Sequence, residues 1–228
     1  DWSSDVCSSD LAKRPNPLMP VIIRQAGLRI SDSRTENVGT AIRGGTNISS
    51  VATRMSRHSG LPKLGPSKDS DLEKMGSHVN ALRHTFWQAL ITSTYDINLA
   101  AKVATAHEDN PAALINNRQS IIFKTIFEAD SWADLQNNKV GRRIGSKWKG
   151  LNSNQLFAFT LLEFYKNGLW IVEKQGTGFK PVLKKITYEQ VENALINAET
   201  LNKFGFDKDD LEDLKNTGDE VLNPDVSE

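Results

Sequence analysis

Cysteine occurs once in the 228 residues, as Cys7, inside a stretch that does not read as natural protein. Asp1–Leu11 has no initiator Met and repeats Ser-Ser-Asp within eight residues. It has neither the basic start nor the apolar centre of a signal peptide, and it looks like translated sequencing adaptor. Without it the chain has no cysteine, which excludes disulfides, thiolate metal sites and a Cys nucleophile. Long apolar runs are missing too: none approaches the roughly 18 residues that a membrane span needs. Net charge is absent, 28 Lys/Arg balancing 28 Asp/Glu, which makes nucleic acid an unlikely partner. Several signatures are also lacking: a Gly-x-Ser-x-Gly elbow, a phosphate loop around Gly176-Thr-Gly178, and a calcium loop at Asp207-Lys-Asp-Asp.

The charge that is there is uneven. Residues 13–63 carry nine Lys/Arg against two Asp/Glu, and residues 207–228 carry two Lys against nine Asp/Glu. Two solvated ends that attract each other fit this pattern, and so does an acidic tail that holds or mimics a partner. Residues 12–45, with Pro15, Pro17, Pro20 and Gly44-Gly45, read as linker, with a short strand near Val21–Ile23. Residues 46–76 read as a helix to His58 and a loop leading in.

From Ser77 the pattern predicts a mainly α domain: a bundle of five to seven helices with one hairpin at about 169–184. Ser77 caps a helix to about Tyr95. Further helices are expected from Ile97 to Asp109, Ile121 to Lys147 and Ser153 to Asn167. Gly176 turns the hairpin, and Pro181 marks its second strand as an edge. Thr187 with Gln190 is a capping box for another helix, ending near Gly205, and the domain is expected to span 77–205. Residues 206–228 form an acidic last helix, capped by Asp207, and a tail.

Three polar clusters fall where helical periodicity calls for core: Asn80/Arg83/His84/Trp87, His107–Glu108, and Asp130/Asp134/Asn137. A polar or charged group in an apolar stripe costs several kcal/mol unless it is partnered. On the first helix, Val79, Leu82, Phe86, Ala89 and Leu90 make the apolar stripe and the polar cluster lies on the flank beside it. On the second, Ile97, Ala101 and Ala104 define a stripe with Glu108 at its centre and His107 at its edge. Glu108 can pair with Arg83, bind a metal or stay protonated. On the third, Phe123, Ile126 and Phe127 open an apolar face that Asp130 and Asp134 continue one turn apart. Two carboxylates so placed need a cation, an Arg or a shared proton. A divalent metal and the nearby Arg142 or Arg143 both answer that need.

The runs Asn80-Ala-Leu-Arg-His-Thr-Phe-Trp87, Ala106-His-Glu108 and Asp130 through Asn137-Asn138-Lys-Val-Gly141-Arg142-Arg143 resemble a bacterial domain of unknown function. That domain is marked by Arg-His-x-x-Trp, Ala-His-Glu and Asn-Asn-x-x-Gly-Arg. The likeness covers roughly residues 77–200. Asn80 departs from it, standing where that domain carries an acidic residue. The domain occurs at the C-termini of large secreted proteins of polymorphic-toxin and wall-associated type. The resemblance therefore implies a secreted or delivered effector, an immunity protein as partner, and a delivery domain upstream of this fragment.

Together these readings lead us to expect a hydrolase, metal-dependent if a divalent ion is its cofactor, acting on a phosphodiester, a phospholipid or peptidoglycan. His84, Glu108 and Arg83 are the expected catalytic residues. Asn80, Trp87, Asn138 and Arg142 are the expected substrate contacts, and His107, Asp130 and Asp134 the expected metal ligands. The alternative is a non-catalytic binding module whose buried polar network holds the helices in register.

Overall fold

The computed structural model describes residues 37–69, 72–107 and 122–217. They form seven helices and one two-stranded antiparallel sheet, in the order α1 (Ile48–His58), α2 (His78–Thr94), α3 (Ile97–His107), α4 (Ile126–Lys147), α5 (Ser153–Lys166), β1 (Leu169–Gln175), β2 (Gly178–Lys184), α6 (Tyr188–Glu199) and α7 (Lys208–Thr217). The protein is mainly α with one hairpin, as the sequence pattern predicts. The readings of Asp1–Leu11, of a strand at Val21–Ile23 and of Glu108 lie outside the described residues. No helix among the described residues is long and apolar enough to cross a membrane.

Helix starts are set by side chains that satisfy the first free backbone N–H groups. Ser77 accepts from the Asn80 N–H at 3.1 Å. Asp96 accepts from Asn98 and Leu99 at 2.7 and 2.8 Å. Reciprocal capping boxes open α4 (Thr125/Glu128), α5 (Asn152/Gln155) and α6 (Thr187/Gln190). The α4 box corrects the expected start at Ile121. Phe123 is not helical; it forms an antiparallel bridge with Phe179 of the hairpin, with N–H···O distances of 2.8 and 2.9 Å.

α2 is the central helix, with 13 buried residues in its 17. Its Leu82, Phe86 and Ile91 pack with Met55 of α1, Phe157, Leu161 and Phe164 of α5, and Ala194 of α6 in one core. Val51, Ala52 and Met55, in the segment read as leading in, are buried in that same core. A smaller cluster of Phe123, Ala129, Trp132, Ala133 and Val172 seals α4 against the hairpin.

α4 lies along α2 at very short range. Gly141 and Gly145 sit against the carbonyls of Thr85 and Ala89, and a Cβ at Gly141 would also meet Gln88 Cβ at 2.8 Å. These two glycines, near the end of α4 in sequence, are where it meets α2 most closely. The stripe on α3 is also rotated from the expected one: Leu99, Ala100, Val103 and Ala104 are buried, while Ile97 is 47% exposed. On α4 the expected apolar Phe127 is 49% exposed, and Ala129 and Ala133 take its place in the core.

Candidate functional site

The close approach of α2 and α4 brings two of the three polar clusters into contact. Asn80 is the hinge of that contact. Its Nδ2 donates to Asp130 Oδ1 at 3.0 Å and to Asp134 Oδ1 and Oδ2 at 3.0 and 3.3 Å. Its Oδ1 accepts from Arg83 Nη2 at 2.6 Å. One amide thus stands between two carboxylates and hands its acceptor to a guanidinium. Asp130 takes a further bond from the Gly76 N–H at 2.6 Å. Gly76 has φ of +68° and faces Val172, so the backbone there suits glycine alone.

The carboxylates are not neutralised by the arginines that the sequence offers nearby. Arg142 donates to Gln88 Oε1 at 2.9 Å, and Arg143 pairs with Glu163. Burial pushes the Asp130 carboxyl up to about 6, against the opposing pull of Gly76, Arg83 and Asn80.

His84 is 3% exposed. Its Nε2 lies 3.2 Å from Asp134 Oδ2 and 3.0 Å from Arg83 Nη2. The tautomer protonated at Nε2 donates to Asp134, and the other accepts from Arg83. Burial first, and then the charges of Arg83 and His107, hold the imidazole well below its ordinary value. His107 is likewise held well below by burial and by Arg83. Its ring centroid is 5.8 Å from that of His84 and 5.7 Å from that of Trp87. At neutral pH both imidazoles are therefore uncharged, the state in which a histidine can take up a proton.

These residues line one cleft with Ser49, Ala52 and Thr53 of α1. Its enclosed space is about 10 Å³, the scale of a single water molecule. Arg83 and His107 are half-buried and form its more open side. Trp87 donates from Nε1 to Ser49 Oγ at 3.0 Å and locks α1 to α2 behind the cleft. The wall from α1 was not legible in sequence: Ser49 and Thr53 carry no signal of their own and lie well before the motifs, outside every run that carries them.

Of the expected site residues, Arg83, His84, Trp87 and His107 line the cleft. Asn80, Asp130 and Asp134 stand behind it as the hydrogen-bonded support. Asn138 is fully buried, and Arg142 is committed to Gln88, so neither faces the cleft. Asn137 serves the fold: its amide exchanges bonds of 2.8 and 2.9 Å with the backbone of Trp170. His107, Asp130 and Asp134 do not converge as a ligand set. Among the described residues, the three groups that do are His58, Asp207 and Asp210.

That second cluster joins α1 to α7. His58 places Nε2 at 3.1 Å from Asp210 and Nδ1 at 3.5 Å from Asp207, while the two aspartates cap α7 reciprocally. The carboxylates meet opposite ring nitrogens, which suits a protonated imidazole bracketed by charge better than a shared metal ion. Next to it, Arg54 donates to the carbonyls of Phe204, Arg43 and Gly45 and lies 3.5 Å over the Phe206 ring. Arg43 reaches Asp213 at 3.8 Å. The basic and acidic ends of the sequence thus meet along α1.

The His58 bond to Asp210 raises the imidazole above its ordinary value. A raised histidine stabilises the fold fully below about pH 6.5 and loses that contribution as pH rises through the folded value. His58→Ala is therefore expected to lower the melting temperature more at about pH 6 than at about pH 8.5. An equal loss at both would show that the bracket is uncharged.

The fold and the site define a mainly helical domain with a buried imidazole–carboxylate pair beside a small cleft. Residues 67–169 match the model of a family described as a domain of unknown function (DUF6973). That range holds α2 to α5, Asn80, Arg83, His84, His107, Asp130 and Asp134, and it stops before most of the hairpin. No curated protein and no solved structure matches the chain.

Proposed function

We propose that this domain is a hydrolytic effector whose chemistry is centred on His84 and His107. The observation that carries the reading is two neutral imidazoles and a guanidinium lining one cleft, with Asp134 at the Nε2 of one imidazole. A carboxylate on one ring nitrogen orients the imidazole and fixes its tautomer. His107, on the more open side, accepts a proton from a bound water, and Arg83 holds an anionic group of the substrate. The secreted, toxin-like context and an immunity partner come from the resemblance of the motifs and belong to this proposal.

A second reading rests on a separate observation. Asn80, Arg83, His84, Asp130, Asp134 and Gly76 pair with one another across α2, α4 and the preceding loop. A buried network of this kind can also serve only to fix helix register in a binding module.

One experiment separates them. The chain is expressed in a bacterium, directed to the cytoplasm or to the periplasm. Growth should be inhibited in one compartment, and His107→Ala should abolish the effect with the melting transition retained. Loss of a general acid or base typically costs about 10²- to 10⁴-fold in rate. A chain that is harmless in both compartments, or a His107→Ala variant of undiminished toxicity, sinks the catalytic reading.

A further inference from the structure

α7 is fastened to the fold more by charge than by burial. Leu214 is the one buried residue of its ten. Its ionic ties run from Asp210 and the preceding Asp207 to His58, and from Asp213 to Arg43. The last turn of α1 and the first turn of α7 meet at His58. A helix favours a cation at its C-terminal end and an anion at its N-terminal end. A protonated His58 and the two aspartates each lie at the end that suits them. Asp207 also caps α7, accepting from the Asp210 N–H at 2.7 Å. One proton thus supports both the start of α7 and its attachment.

The chain just before α7 is held differently. Asn202 Oδ1 accepts from the N–H groups of Phe204 and Phe206 at 2.9 and 3.1 Å and closes that loop on itself. Gly205, with φ of +80°, lies against Met55 of α1. Arg54 pins the loop to α1 through the Phe204 carbonyl at 2.7 Å and the face of Phe206 at 3.5 Å. Burial pushes the Arg54 guanidinium down to about 10, so this anchor keeps its charge through mildly alkaline pH. The boundary between the pinned loop and the charge-held helix falls at Asp207.

We propose that α7 is a proton-operated latch, docked on α1 while His58 is protonated and swinging free about Asp207 when that proton leaves. The latch does not depend on any chemistry at the cleft. The charged groups around His58 are Asp207 and Asp210 at the start of α7, Lys63 after α1, and Arg54 and Arg57 on α1 itself. The bond from Asp210 outweighs burial and Lys63 and raises the imidazole above its ordinary 6.5. Burial works against the Asp210 carboxylate, yet the bond and charge of His58 hold its carboxyl below the ordinary 3.8. A raised histidine contributes fully below 6.5 and loses that contribution as pH rises through its folded value. A lowered carboxyl contributes above 3.8 and loses its share as pH falls through its own folded value. The latch is therefore closed in mild acid and opens on both sides of that window. The His58 and Asp210 side chains are 28% and 34% exposed, so salt screens the pair.

A released helix of ten residues is too short to hold its structure in water, so opening reads out as lost amide protection. The test follows hydrogen exchange of the full chain from about pH 5 to about pH 9. Rates are corrected for base catalysis, and a chelator keeps divalent ions from standing in for the proton. Protection of Leu211 to Thr217 should fall several-fold as pH rises through the folded value of His58, while α2 keeps its own. Added salt should shrink that step. His58→Ala should leave α7 poorly protected throughout the range. Asp210→Asn keeps a capping oxygen and removes the charge, and it too should abolish the step. Protection of α7 that does not change with pH overturns the proposal. So does loss of α7 and α2 together, or a step that survives in Asp210→Asn.

Discussion

Gly141→Ala is expected to cost the protein much of its stability, although alanine is the best helix former and the site is mid-helix. Propensity alone favours the change by about 1 kcal/mol. The new methyl group, however, would lie inside contact distance of the Thr85 carbonyl and 2.8 Å from Gln88 Cβ. Backbone of the central helix cannot swing aside as a side-chain tip can, so α2 and α4 must part. Overpacking of this kind typically costs 1–3 kcal/mol, and contact with rigid backbone belongs at the upper end; set against the propensity gain, a net loss of up to about 2 kcal/mol lowers the melting temperature by as much as roughly 4–8 °C in a chain of this size. The site suffers with the fold, because the bonds of Asn80 to Asp130 and Asp134 cross that same helix pair. Thermal melts together with near-ultraviolet circular dichroism test this. A variant with the parent's melting temperature would mean that the helices are not in such close contact.

Asn80→Ala is expected to have the larger effect at neutral pH and a smaller one in acid. The amide is a shared donor to both carboxylates, and both are buried. Leaving buried charges without such a partner costs about 3–5 kcal/mol. Protonation relieves it. The Asp130 carboxyl already stands at about 6, above its ordinary 3.8. A raised carboxyl favours the fold at low pH and loses that contribution as pH rises through the folded value. Removing Asn80 takes away one of the groups that oppose the rise, and so moves the window upward. The melting-temperature gap between parent and variant should therefore be widest near pH 8 and close in part towards about pH 5. A gap independent of pH would mean that Asn80 matters for its packing and not for the charges it separates.

The fold was legible because its boundaries are written in short-range chemistry. Ser77, Asp207 and the Thr187/Gln190 pair announce their helices, and Gly176 and Pro181 announce the hairpin. The start of α4 was misread because Ile122 and Phe123 continue an apolar pattern that periodicity cannot divide. The Thr125/Glu128 box carried the correct signal. The role of Gly141 and Gly145 was not legible, since close helix approach depends on which helix lies opposite, and one sequence does not say. The site was legible to the extent that a buried polar residue is costly. Asn80, His84, Asp130 and Asp134 do come together, and His107 reaches them from α3. What fills the gap between the carboxylates is a neutral amide, outside the choice of metal or arginine that their charges suggest. The α1 wall was out of reach, because Ser49 and Thr53 are unremarkable until α1 is packed on α2.

The hairpin carries one more consequence, for self-association. A two-stranded sheet has two open edges, and each is a template on which another chain can add a strand. Here the outer edge of β1 is occupied at Trp170 by the Asn137 amide and at Val172 by the Gly76 carbonyl, at 2.9 Å. The outer edge of β2 is taken at Phe179 by Phe123, and two residues on, where the next outward N–H would be, stands Pro181. Asn137, which looked in sequence like part of a reactive cluster, therefore acts as a guard against aggregation. Asn137→Ala should leave the chemistry of the cleft in place and uncover a strand edge along which copies of the protein can polymerise.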